Sequence, residues 1–139
     1  MRSAARASLF LLLLACSPDS PESRIRKAFE ASVKAVEAGD AAAAVAVLDE
    51  GFRGPDGMTR AEARATLLGW FRQERVGVTV VSQRLEVHGA QAVQEVDLLL
   101  TGRSGTALLP RDRSRQTLRL RWAQTGGTWK IRGISTGGS

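Results

Sequence analysis

Residues 27–67, KAFEASVKAVEAGDAAAAVAVLDEGFRGPDGMTRAEARATL, carry the reading on which the fold depends. Starting just upstream, Ile25, Phe29, Val33 and Val36 recur at spacings of four, four and three, which places them on one stripe of a helix. Arg26, Lys27, Glu30, Lys34 and Glu37 fill its other faces, and Gly39 stands where a helix would end in a left-handed residue. Asp40 then caps a second, shorter helix, AAAAVAVLDE, with Ala41, Ala44, Val45 and Leu48 inward. Gly54-Pro55-Asp56-Gly57 reads as a turn, Pro55 fixing one φ and Gly57 permitting another. Thr59 and Glu62 form a capping box for a third helix running to about Glu74, its apolar side made of Ala63, Leu67, Trp70 and Phe71.

Past Val76 the period becomes two. Val76, Val78 and Val80 share one phase, Val81, Leu85 and Val87 the other, and the slip predicts a bulge or bend near Ser82. His88-Gly89-Ala90-Gln91 makes a hairpin turn. Val96, Leu98 and Leu100 then face opposite to Glu95 and Asp97. Thr101 to Thr117 read as a long loop with the basic run Arg111-Asp112-Arg113-Ser114-Arg115. Leu118, Leu120 and Trp122 alternate with Arg119 and Arg121, Thr125-Gly126-Gly127-Thr128 closes a hairpin, and Trp129 and Ile131 alternate with Lys130 and Arg132. Three helices followed by four strands define an α+β fold.

Composition narrows the functions available. The 139 residues include one Cys, one His and no Tyr. A single Cys excludes a disulfide framework and any zinc site of clustered Cys and His. No metal or other cofactor is expected.

Upstream, MRSAARASLFLLLLAC has Arg2 and Arg6 before an apolar run from Leu9 to Ala15, too short for a bilayer span but suited to a signal-peptide core. Leu13-Leu14-Ala15-Cys16 resembles the bacterial lipobox, although Leu14 stands where Ala, Ser or Thr is commoner. The resemblance implies cleavage of residues 1–15 and acylation of Cys16 (palmitate on the sulfur), with export and lipid anchoring to the cell membrane. Ser17 after the Cys favours the periplasmic side of the outer membrane if the host has two membranes. Residues 16–23 read as the lipidated Cys and a flexible tether, whose seven residues SPDSPES reach roughly 23 Å at about 3.3 Å per residue, 24–135 as the domain and 136–139 as a disordered tail.

The 27–67 stretch, with WAQTGGTWKIRGI at 122–134, resembles the nuclear transport factor 2-like superfamily and its SnoaL-like bacterial members. The resemblance implies a cystatin-like cone with the N-terminal helices packed in the concave face of a curved antiparallel sheet: a long helix ending in Gly-Asp, a short helix, a Phe-containing strand, a third helix, and a terminal hairpin whose Trp plugs the core. Members use the cone for catalysis, binding or dimerisation. Enzymes such as ketosteroid isomerase need a carboxylate base near the second helix, a Tyr and a protonated strand Asp. This chain lacks Tyr; Asp56 has a sufficient role as turn former, alternation points Asp97 to solvent, and His88 falls in a turn. No catalytic residue is assigned, and the reading favours a binding or accessory module. A small isomerase, dehydratase or cyclase is the alternative, and a structural dimer the second. If the cone is open, Phe29, Phe52, Trp70 and Trp122 are its candidate lining.

Charge is split along the chain. Residues 16–100 carry 10 basic and 13 acidic groups, and 101–139 carry 8 basic and one acidic. Arg111, Arg113, Arg115, Arg119, Arg121, Lys130 and Arg132 are expected to gather into a basic patch. An exported lipoprotein points away from nucleic acid and toward membrane lipid, an anionic envelope component, an acidic protein or a second copy as partner.

Overall fold

The computed structural model describes residues 20–102 and 115–137. Their elements are α1 (Pro21–Ala38), α2 (Ala41–Val45), β1 (Leu48–Arg53), α3 (Arg60–Gln73), β2 (Val76–His88), β3 (Gln91–Gly102), β4 (Arg115–Thr125) and β5 (Thr128–Thr136). Cys16, Arg111 and Arg113 lie outside the described residues.

Helix ends follow local chemistry. Ser20 Oγ accepts the Ser23 N–H and Pro21 occupies the first turn, so α1 begins three residues before Arg24. Gly39 (φ 74°) closes it: the Gly39 and Asp40 amides donate to the carbonyls of Val36 and Ala35, a Schellman pattern. Asp40 Oδ1 then accepts the Ala43 N–H and starts α2. Thr59 Oγ1 does the same for α3 through the Glu62 N–H.

The second helix is shorter than its alanine content predicts. It stops at Val45, and Leu48 is a strand residue, paired parallel with Ile131 of β5 and reinforced by the Ile131 amide donating to the Val47 carbonyl. Leu48 is buried as expected, but β-branched Val45 and Val47 beside an available sheet edge override the local helical preference. The sheet therefore has five strands in the order β1-β5-β4-β3-β2, antiparallel except at the β1–β5 edge.

The strands also reach further than the alternation alone suggests. Thr101 and Gly102 extend β3, and Arg115 to Thr117 open β4, so both ends of the expected loop are strand. The predicted phase slip is real: Val80 pairs with Leu98 and Ser82 with Asp97, leaving Val81 as a bulge that is 52% exposed rather than packed with Leu85 and Val87. A second irregularity between Arg121 and Trp122 leaves Arg132 outside the β4–β5 pairing. Gly126 (φ 59°) and Gly127 (φ 81°) supply the two positive φ values of the tight β4–β5 turn.

Alternate residues then build one core on the concave face. Ile25 and Phe29 of α1, Val45, Val47, Leu48 and Phe52 meet Ala92, Val96, Leu98, Leu120, Trp122, Trp129 and Ile131. Helix α3 adds only the half-buried Ala63 and Leu67. Trp70 and Phe71 are half-buried as well, outside that cluster.

Gly39→Ala is expected to cost about 1 kcal/mol, because a Cβ at positive φ is strained even though it meets no neighbour. Urea denaturation monitored by circular dichroism measures it; an unchanged midpoint would mean the cap does not hold α1.

Candidate functional site

Three surfaces concern function, and the first is the inner wall of the sheet. Continuing the inward phase of Val96 and Leu98 backwards along β3 puts Gln94 between the strands and the helices, 0% exposed and the only buried polar or charged side chain among the described residues. Its Oε1 accepts the indole N–H of Trp122 at 3.0 Å, and its Nε2 donates to Oε1 of Gln83 at 3.0 Å. Gln83 is exposed, so this polar chain runs from the core to the surface. Sequence reasoning passed over Gln94 because it is polar; its parity with Val96, Leu98 and Leu100 was the available signal.

Of the expected cone residues, Phe29, Phe52 and Trp122 are buried in the packed core and Trp70 is half-buried on α3. Trp129 is buried too, but its Nε1–H has no partner among the described residues. Asp56 adopts φ 59° within an exposed 3-10 turn, Pro55–Gly57, as expected of a turn former. His88 is exposed at the hairpin, its Nε2 3.6 Å from Glu86. No carboxylate is buried among the described residues.

The second surface is the outer face of the sheet. Asp97 pairs with Ser82 on one side and Thr117 on the other; its oxygens accept from Thr117 Oγ1 at 2.6 Å and Ser82 Oγ at 2.9 Å. These bonds, Thr117 first and Ser82 next, hold its carboxyl below the usual range, with Arg115 adding to them against partial desolvation. Next along β3, Glu95 lies between Arg84, 3.1 Å away, and Arg119, its partner on β4. A groove of about 360 Å³ runs over Ser82, Arg84, Glu95, Asp97 and Thr117.

The described part of the expected basic patch is interrupted. Arg119, Arg121 and Arg132 are exposed, but Glu95 and Asp97 interleave with the arginines, and Lys130 reaches across to the Ala46 carbonyl at the end of α2, 2.6 Å away. That bond satisfies a helix-terminal carbonyl with a cation and withdraws Lys130 from the patch.

The third surface, a groove of about 580 Å³, lies between α2 and α3 and carries Arg60 and Arg64. It depends on the tertiary placement of two helices and has no signature in either segment alone.

Helices in the concave face of a curved five-stranded sheet, entered through a long capped helix and closed by a hairpin with a buried Trp, constitute the nuclear transport factor 2-like, cystatin-like fold. No protein-family model and no curated protein matches the sequence. Solved structures do. A nuclear transport factor 2-like protein from Cytophaga hutchinsonii superposes with TM-score 0.68 at 15% identity, covering 86% of this chain and 99% of that one. One from Novosphingobium aromaticivorans with a cystatin-like fold gives 0.68 at 18%, covering 83% and 79%. A protein of unknown function from Mycobacterium tuberculosis gives 0.69 at 17%, covering 84% and 70%. Identities this low establish the fold and leave the activity to the site.

The two core tryptophans are expected to respond differently to Phe. Trp122→Phe strands the Gln94 carbonyl and costs about 1–3 kcal/mol beyond the lost area, whereas Trp129→Phe removes a donor that has no acceptor and costs less. Paired urea titrations measure both; equal losses would remove the hydrogen bond from the argument.

For Asp97, the lowered folded-state value means its contribution to stability is complete above the unfolded value near 4 and is lost as pH falls through the native one. Carboxyl NMR titration should show a depressed midpoint in the native chain and a rise toward the ordinary value in Thr117→Val.

Proposed function

We propose that the chain is an exported lipoprotein held to a membrane through acylated Cys16, whose nuclear transport factor 2-like domain acts as a binding or accessory module rather than a catalyst. The observation that carries the second half is the chemistry of the concave face. Its one buried polar side chain among the described residues is the neutral amide Gln94, bonded to Trp122 and Gln83. These groups are bonded to one another, and neither an amide nor an indole has a proton to give or take near neutral pH. An isomerase-type reaction needs a carboxylate inside the cone, and the two candidates, Asp56 and Asp97, stand in an exposed turn and on the outer face.

Support for the anchor comes from the leader itself. The only thiol of the chain stands at the end of LFLLLLAC, the position at which a lipobox is cut and acylated. Each buried methylene contributes about 0.8 kcal/mol, so two or three acyl chains retain a protein at a bilayer. The periplasmic face of an outer membrane follows from Ser17 where the host has one.

Cys16→Ser is expected to abolish incorporation of an alkyne-palmitate label and to leave the chain unprocessed, or in the aqueous phase of a detergent partition. Labelling or detergent partitioning equal to wild type would overturn the anchor.

A further inference from the structure

We propose that the groove between α2 and α3 docks an anionic phospholipid of a membrane surface, its phosphate held by Arg60 and Arg64 and the start of one acyl chain lying along the apolar floor toward Leu68. The groove goes beyond the cone reading and rests on the anchor only in that Cys16 would keep it beside a bilayer.

The geometry is that of an amphiphile site. Arg60, Arg64 and Leu68 recur every four residues and share one stripe of α3. The adjacent stripe, Ala63 and Leu67, packs on the core, so the first is turned away from it. Ala42 and Val45 of α2 form the facing wall. From Arg60 to Leu68 the helix rises about 12 Å at 1.5 Å per residue, room for a headgroup and the first methylenes of one chain. Alanines at 61 and 65 keep the floor low, and Leu68 is left 38% exposed.

Charge specifies the occupant. Among the described residues no acidic one lines the groove and no ion pair engages Arg60 or Arg64. Arg60 Nε donates to the Val45 carbonyl at 3.3 Å, which tethers the guanidinium at the rim while its terminal nitrogens have no protein acceptor among the described residues. The outer sheet face differs: there Glu95 sits between Arg84 and Arg119, and Asp97 near Arg115. Guanidinium pairs hold phosphate oxygens bidentately, and a shallow apolar floor beside a basic rim has the composition of an interfacial surface. Among the described residues the groove has no aromatic anchor of the kind a protein partner would fill or supply.

The test uses the full chain with phosphatidylcholine vesicles containing phosphatidylglycerol that carries a diazirine on its acyl chain, and maps the photolabel by mass spectrometry. Label is expected on peptides spanning α2 and residues 60–68. It should fall about fivefold in Arg64→Gln and roughly 25-fold in Arg60→Gln/Arg64→Gln, partly recover in the double Lys variant, and vanish when the labelled lipid is phosphatidylcholine. Arg64→Gln is informative even if loss of the Arg60 bond disturbs the fold, since Arg64 makes no such bond; thermal melts check both. Label that ignores lipid charge or the arginines, or that falls on the β4–β5 hairpin, would overturn the proposal. So would groove labelling by a soluble diazirine dodecanoate but not by vesicles (a carrier of free amphiphiles), or α3–α3 cross-links between two copies in place of lipid label. Cys16→Ser separates the readings: its groove should still label on added vesicles whatever becomes of its anchor, and loss of label there would assign docking to the anchor alone.

Discussion

The hydrogen bond between the Trp122 indole and Gln94 links the centres of β4 and β3 where no water reaches. Both residues are almost completely buried, and a buried polar atom without a partner costs on the order of 1–3 kcal/mol. The pairing of Trp122 with Ala92, next to Gln94 opposite Leu120, is the register that brings the two side chains together on one face. A slip of one residue would turn Gln94 outward and drive Glu95 or Val93 inward. The concave face, the helices laid on it and the charged order of the outer face all depend on this alignment.

Much of that arrangement was legible in the chain. Gly39, Asp40 and Thr59 act through side-chain or backbone chemistry close to themselves, so the end of α1 and the starts of α2 and α3 could be placed closely, whereas the Ser20 cap sits in a stretch that reads as tether and starts α1 three residues earlier. Alternation oriented Asp97, Trp122 and Trp129 correctly, and the phase slip located the bulge beside Ser82. Leu48–Arg53 was not legible as a strand from the residues themselves. Its pairing partner lies some eighty residues downstream, and the alanines before it favour a helix in isolation. The same limit hid the diversion of Lys130 to Ala46 and the groove between α2 and α3, since each joins segments whose sequences carry no trace of one another.

The fold narrows function without assigning it, and the distribution of charge separates the surfaces more than the fold does. On the outer face cations and anions alternate across strands, which weakens its field at distance. Exposed pairs such as Arg84–Glu95 contribute at most about 1 kcal/mol each, so their effect is on what the face repels or attracts more than on stability. In the groove between α2 and α3, Arg60 and Arg64 have no acidic neighbour among the described lining residues, although Glu62 stands elsewhere on α3. The concave side, by contrast, is closed by aromatic packing around a neutral amide.

Strand β2 carries thirteen residues and borders the described sheet with one side unpaired. An edge of that length is a template on which another chain could add as a further strand, and repeated addition ends in aggregation. The bulge at Val81 interrupts that template near its middle, because two residues there occupy the space of one and the edge twists out of line. Arg84, Glu86 and His88 place ionisable side chains along the remainder. The interruption thus also limits polymerisation, so straightening β2 by deleting Val81 would sacrifice colloidal solubility while leaving Gln83 opposite Val96.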